Sequence, residues 1–216
     1  MKGPRAGNYN QCGFHFGGSH PSFAGAPLQL DGDRYPYIDI YIDVRAMFAS
    51  FSFAMFVNVS GNIGCIFHFM SSKSVNAVTD VSVCINDTWI TMKSNTPSRN
   101  SILRTSSASW FRGDWIMVQA GRSADEEEMT VSLKNDMVSV AYKESDILGS
   151  KFLGLPGTLR IGAQQNPISP FSLSVTCITL YDSIPEVGSV LTEIQSECKS
   201  SPPASGEGFH VVLIAC

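Results

Sequence analysis

The chain has 216 residues, of which 16% are charged, with a net charge of −4 and six cysteines. That length suits one large all-β domain or two small ones with a real core. The ordinary apolar content excludes a disordered or collagenous chain, and the absence of a basic stripe excludes nucleic acid as a partner.

Residues 1–20 form a Gly-rich lead that lacks the apolar run of a secretory signal, so export has to be argued from other features. Short strand-like runs then follow at the spacing of a sandwich or barrel. The first clear one is "YPYIDIYIDVR", Tyr35 to Arg45, with Tyr37, Asp39, Tyr41 and Asp43 on one face and Ile38, Ile40 and Ile42 on the other. That alternation predicts a half-exposed strand. "ASFSFAMFVNVS" sets Phe51, Phe53 and Met55 against Ser50, Ser52 and Ala54, and ends in the turn composition Ser60-Gly61-Asn62.

"IGCIFHFMS", "VTDVSVCI" and "TWITMKS" come next. Folding the segment Ser71 to Val78 back as a hairpin sets Cys65 and Cys84 opposite each other, near enough for a cross-strand disulfide. Asn86-Asp87 reads as a two-residue hairpin turn. Lys93 to Ser109 is polar and Ser-rich and reads as one long surface loop. It carries Lys93, Arg99 and Arg104, with Arg112 just beyond, a concentration of positive charge suited to sulfated or sialylated glycans on an otherwise acidic chain.

"DWIMVQAGR" and "EMTVSLKNDMVSVAY" supply three further strands, with Asp125-Glu126-Glu127-Glu128 at one turn and Asn135-Asp136 at the next. "GTLRIGAQ" and "FSLSVTCITLYD" supply the last two. A short helix is expected from Glu186 to Glu197. Ser183 is its N-cap, Pro185 lies in its first turn, Glu186 completes a capping box, and Val187, Val190, Leu191 and Ile194 recur at helical spacing. Residues 199–208 have linker composition. Residues 209–216, "FHVVLIAC", fall far short of the ~20 residues that span a bilayer. They read as the start of a membrane anchor, the start of a further domain, or a final strand on the sheet.

The six cysteines show no C-x-x-C or Cys/His clustering, which argues for disulfides and against zinc. Besides Cys65 with Cys84, the expected pairs are Cys177 with Cys198 and, by elimination, Cys12 with Cys216. Two sequons, at Asn58 and Asn86, end strand patterns and are candidate glycosylation sites. Together these features point to an extracellular protein.

The order of these runs resembles the concanavalin A-like sandwich superfamily, in particular its laminin G-like branch with the pentraxin-like and neurexin-type modules. "LQLDGDRYPYIDI" matches the opening strand pair, "FSFAMFVN" the long central strand, and "IFHFMS" the strand after it. "DWIMVQAG" with "MTVSLKNDMVSV" matches the Trp-led strand and its hairpin, and "LRIGAQ" with "FSLSVTCITLYDSIPEV" matches the ending. The resemblance covers residues 21–198. It implies an all-β fold of two antiparallel sheets packed face to face and a non-enzymatic module that binds glycans or extracellular proteins. Asn135-Asp136, where the family often has Asn-Gly, departs from the pattern, as does the lack of an acidic pair at the rim for calcium.

Glycan hydrolases of this superfamily place carboxylates at alternate positions on one strand so that nucleophile and acid reach the sugar from one face. Here Tyr37 stands where the leading Glu belongs. If Asp39 leads instead, Tyr41 interrupts the set and both end residues are Asp, a methylene short. Catalytic residues are therefore assigned as none, and a hydrolase or lyase of the same fold remains the alternative, beside a spacer domain of a larger receptor. Tyr37 and Tyr41 suit stacking on a sugar ring, or simple cross-strand packing. Asp31 and Asp33 suit a tight turn better than calcium, since no ligand ladder follows them. No cofactor or metal is assigned.

Overall fold

The strand assignments of the sequence hold because the apolar alternation puts one face of each run into a shared interior. The computed structural model describes residues 15–16, 28–31, 37–42, 47–60, 64–72, 77–85, 89–105, 113–135, 139–149, 151–162, 172–184, 186 and 211–214. The larger sheet runs β1 (His15–Phe16), β2 (Leu28–Asp31), β16 (Ser172–Tyr181), β5 (Phe51–Val59), β11 (Trp115–Ser123), β12 (Glu128–Lys134) and β13 (Ser139–Ser145). β17 (Val211–Ile214) also joins it, lying parallel to the second half of β16, beyond the stretch that β2 covers. The second sheet has six strands in the order β10 (Asn100–Arg104), β9 (Ile90–Asn95), β8 (Asp80–Ile85), β6 (Gly64–Ser71), β15 (Gly157–Ile161) and β3 (Ile38–Ile42). A small third sheet joins β4 (Met47–Phe48), β14 (Phe152–Gly154) and β7 (Ala77–Val78). The fold is an all-β antiparallel sandwich.

Between the two large sheets, Phe51, Phe53, Met55, Val57 and Val59 of β5 meet Phe67 and Phe69 of β6, all fully buried. The Phe53 ring lies 5.0 Å from that of Phe67 and 5.6 Å from that of Phe69, within the range where aromatic pairs add to simple burial. Removing such a side chain from water contributes about 1.5–3 kcal/mol. Two glycines permit the packing. A Cβ on Gly121 would fall 2.4 Å from the Phe51 carbonyl oxygen, and one on Gly157 would fall 2.3 Å from the Phe69 ring.

The structure corrects several readings of the sequence. Lys93 to Ser109 is not one long loop: β9 and β10 pair in full register from Asn95↔Asn100 to Arg104↔Thr91. The connection is a tight turn, in which the Thr96 amide donates to the Arg99 carbonyl (2.8 Å) and the Arg99 amide to the Thr96 hydroxyl (3.0 Å), with Pro97 pre-setting the bend. Opposite pairing of Ile85 with Ile90 leaves residues 86–89 for the next connection, longer than a two-residue turn. β2 and β3 do not pair, since β2 joins β16 and β3 joins β15 in the other sheet. The helix expected at Glu186–Glu197 lies outside the described residues except for Glu186, which is not helical. Among the described residues no helix is long and apolar enough to cross a membrane.

Candidate functional site

The outward face of the six-stranded sheet gathers most of the candidate binding residues. Strand pairing aligns Asp39 (β3), Arg160 (β15), His68 (β6), Ser82 (β8), Lys93 (β9) and Ile102 (β10) in one cross-strand row. At about 4.8 Å per strand this row is about 24 Å long. The neighbouring row holds Tyr41, Thr158, Met70, Asp80, Asn95 and Asn100, and Arg104 lies beyond Lys93 on the other side. Ile40 and Ile42 point inward and are 2% exposed, whereas Tyr41 is 53%, Ile102 41% and Trp89 39% exposed. Lys93 and Arg104, read as loop residues, are strand residues of this face.

Polar partners divide the face into fixed and free parts. Arg160 donates to both oxygens of Asp39, at 2.7 and 2.8 Å, and its guanidinium lies 4.0 Å from the centre of the Tyr37 ring. The hydrogen bond to Asp39 pushes the Arg160 guanidinium above its ordinary value; burial works against it and the charge of Asp39 reinforces it. Asp39 is thereby locked in a two-point ion pair, a poor setting for a nucleophile or proton donor. Asp43 lies outside the described residues. Arg104 stacks on Trp89, 5.5 Å from the ring centre. Lys93 has no ion-pair partner among the described residues, so its charge is open to a ligand. His68 is 6% exposed, with Nε2 3.5 Å from an Asp80 oxygen that also accepts from Asn95 Nδ2 at 2.7 Å.

The disulfide Cys65–Cys84 closes the β6–β8 pair, where a bulge between Cys65 and Phe67 turns Cys65 to meet its partner across the ladder. Cys177 sits in the irregular stretch of β16 between Thr176 and Thr179; its side chain, and Cys12, Cys198 and Cys216, lie outside what is described. Asn58 is half-buried near the end of β5, between Trp115 and Ser174, and its side-chain amide donates to the Gly113 carbonyl at 2.8 Å. Asn86 lies outside the described residues. Arg99 occupies the β9–β10 turn, away from the sheet face, where it donates to the Ile147 carbonyl at 3.4 Å.

A feature that sequence reading missed fixes one end of the sandwich. Arg122 continues the inward row Ile116, Val118 and Ala120 of β11 and is fully buried. Its guanidinium pairs with the buried carboxylate of Asp146 and donates to the carbonyls of Ala49, Gly149 and Lys151. Asp146 also accepts from the Ser101 hydroxyl at 2.6 Å and the Leu148 amide at 3.1 Å. One cation thus ties together the segments that precede β5 and follow β13, and Ser101 extends the tie to β10. The signal in the sequence was parity: an Arg at a core position of an alternating strand requires a buried partner. Among the described residues no three His, Cys, Asp or Glu side chains group as metal ligands.

No protein-family model matches this chain, and no curated protein does. Solved structures match it at the level of the fold. The binding domain of botulinum neurotoxin serotype G superposes with a TM-score of 0.61 at 11% identity, over 86% of this chain and 44% of that one. The binding domain of botulinum neurotoxin DC, solved in complex with SialylT, matches with 0.59 at 12%, over 85% and 44%. The same domain was solved in complex with rat synaptotagmin II. The native heptameric SAP-like pentraxin from Limulus polyphemus matches with 0.51 at 13%, over 88% and 83%. This chain spans less than half the length of the toxin domains. The fold is that of the concanavalin A-like sandwich, and its structural neighbours named here are binding domains and a pentraxin.

Proposed function

We propose that this chain is an extracellular, non-enzymatic recognition module that holds a glycan or protein ligand on the outward face of its six-stranded sheet. The observation that carries the reading is the composition of that face. Exposed Tyr41, Trp89 and Ile102 offer flat and apolar contact, Lys93 offers an open charge, and Arg104 and Arg160 are pre-oriented by Trp89 and Asp39. Aromatic and arginine side chains on a rigid sheet suit binding because little conformational freedom is lost on contact. The reading as a binding module is supported by neighbours solved with SialylT and with synaptotagmin II. The extracellular setting is supported by the disulfide and the sequons.

The test is an array of glycans and receptor ectodomains probed with the whole chain, with and without a chelator. A ligand retained by the wild type and lost by Tyr41→Ala is the expected result. Equal retention by that variant would overturn the assignment of the face. Release of reducing sugar that disappears in Asp39→Ala would instead establish the hydrolase.

A further inference from the structure

Directly before β11 the sequence reads Arg112-Gly113-Asp114, a cation and an anion separated by a single glycine. A tripeptide decides little by itself; its structural context decides more. Gly113 and Asp114 are both exposed and form the bend that enters β11 at Trp115. Gly113 has a φ of +83°, in the left-handed region, and a Cβ placed on it would meet nothing within 4 Å. Glycine is thus required by the backbone conformation and not by crowding, and the space beside the bend is open among the described residues.

The bend is nevertheless held in place. The Gly113 amide donates to the Val59 carbonyl at 3.1 Å, and the Asn58 side-chain amide donates to the Gly113 carbonyl at 2.8 Å, both from the end of β5. A glycine that could take many conformations is fixed in one, so little freedom remains to be lost on contact.

Asp114 differs from the other carboxylates of the structure. Asp39 is paired with Arg160, Asp146 with Arg122, and Glu128 with Lys143. The Asp114 side chain has no hydrogen bond or ion pair among the described residues. Arg112 lies outside the described residues and enters through the sequence alone.

An exposed carboxylate pairs only weakly with a lysine or arginine in water. A divalent cation with an open coordination position takes the carboxylate oxygen directly as a ligand. Arginine in turn offers a planar fork of donors that matches a carboxylate. The complement of this tripeptide is therefore a surface that holds a divalent cation beside an acidic side chain.

We propose that Arg112-Gly113-Asp114 is a second contact site, at the rim where β5 ends and β11 begins, and that it binds a cell-surface receptor carrying a divalent cation. Asp114 coordinates that cation and Arg112 pairs with a carboxylate of the receptor. The site rests on the extracellular setting of the proposed module and is separate from its six-stranded face.

The test is attachment of cultured fibroblasts, in serum-free medium, to a surface coated with the whole chain. Cells should attach in magnesium and be released by a chelator, while their attachment to polylysine survives it. The blocked peptide acetyl-Phe-Arg-Gly-Asp-Trp-amide, copied from residues 111–115, should compete, and the same peptide with Glu in place of Asp should not. Asp114→Glu keeps the charge and moves it by one methylene; this variant and Arg112→Ala should each lose attachment. Because Asp114 is exposed, Asp114→Glu should leave the midpoint of urea unfolding unchanged, which separates loss of contact from loss of fold. Tyr41→Ala should attach cells as the wild type does. No attachment to the wild type, attachment that survives the chelator, or full attachment to Asp114→Glu or Arg112→Ala would overturn the proposal. Attachment lost in Tyr41→Ala and kept in Asp114→Glu would also overturn it and would assign the cell contact to the six-stranded face. A ligand held on the array through Tyr41, with no attachment of cells, would overturn this site and leave the proposed face standing.

Discussion

Replacing Arg122 by Met keeps the length and apolar stem of the side chain and removes only its charge and donors. Four acceptors then lose their shared cation: the Asp146 carboxylate and the carbonyls of Ala49, Gly149 and Lys151. Among the described residues, Asp146 retains only the Ser101 hydroxyl and the Leu148 amide. Both side chains of the pair are 0% exposed, so water does not take over the loss. Removing one member of such a buried pair costs about 3–5 kcal/mol, a large part of the ~5–15 kcal/mol that holds a domain folded. Arg122→Met is therefore expected to lower the stability measured by equilibrium urea unfolding by about 4 kcal/mol, with an unchanged slope. Asp146→Asn alone should be similarly costly. The double variant Arg122→Met/Asp146→Asn should recover about 2 kcal/mol relative to the sum of the singles, because no uncompensated charge remains. A single-variant loss below about 1 kcal/mol, or strict additivity in the double, would refute the claim that this ion pair secures the end of the sandwich.

Gly121→Ala drives a methyl into the Phe51 carbonyl and Ser52, both on the adjacent strand, and should cost about 1–3 kcal/mol in the same urea assay. Glu127 holds a positive φ of 50° at the end of the β11–β12 turn, so Glu127→Gly should raise stability by up to about 1 kcal/mol by thermal or urea unfolding. The hydrogen bond to Glu128, then the charges of Glu128 and Glu126, hold the Lys143 ammonium above the ordinary lysine value of 10.5. Its ammonium is thus fully charged at neutral pH, and on the alkaline side the ion pairs are lost as pH rises through that raised value. An NMR titration of the Lys143 side chain should show the elevation, and Glu128→Gln should bring the midpoint back down.

The sheet strands with an unbroken apolar face were legible in the sequence. β5 and β6 show it directly, and the register that joins Cys65 to Cys84 followed from folding one short segment back. β9 and β10 were partly hidden because the outward residues of a half-exposed strand look like loop composition: Asn100, Ile102 and Arg104 face outward, while Ser101 and Leu103 carry the inward signal. Two-residue strands such as β4 and β7 are too short for any alternation to register. Long-range order was also out of reach. Nothing local says that β2 joins β16 while β3, a few residues on, joins β15 in the other sheet. For the candidate site, the sequence put Tyr37 and Tyr41 on one strand face and Lys93, Arg99 and Arg104 on a loop, and only the cross-strand register shows that Lys93 and Arg104 share the face of the tyrosines. Trp89 and Arg160 escaped notice because their roles come from residues distant in the chain: Arg160 from Asp39, and Trp89 from Arg104 on the next strand.

Side-chain footprinting by hydroxyl radicals, read by mass spectrometry with and without a ligand retained on the array, tests the central claim most directly. Tyr41, Trp89 and Ile102 are exposed enough to be oxidised in the free protein. On binding, all three should become protected together, while exposed Met47 on the far side of the sandwich keeps its reactivity. Protection of Met47 or Ile147 with Tyr41, Trp89 and Ile102 unchanged would contradict the account.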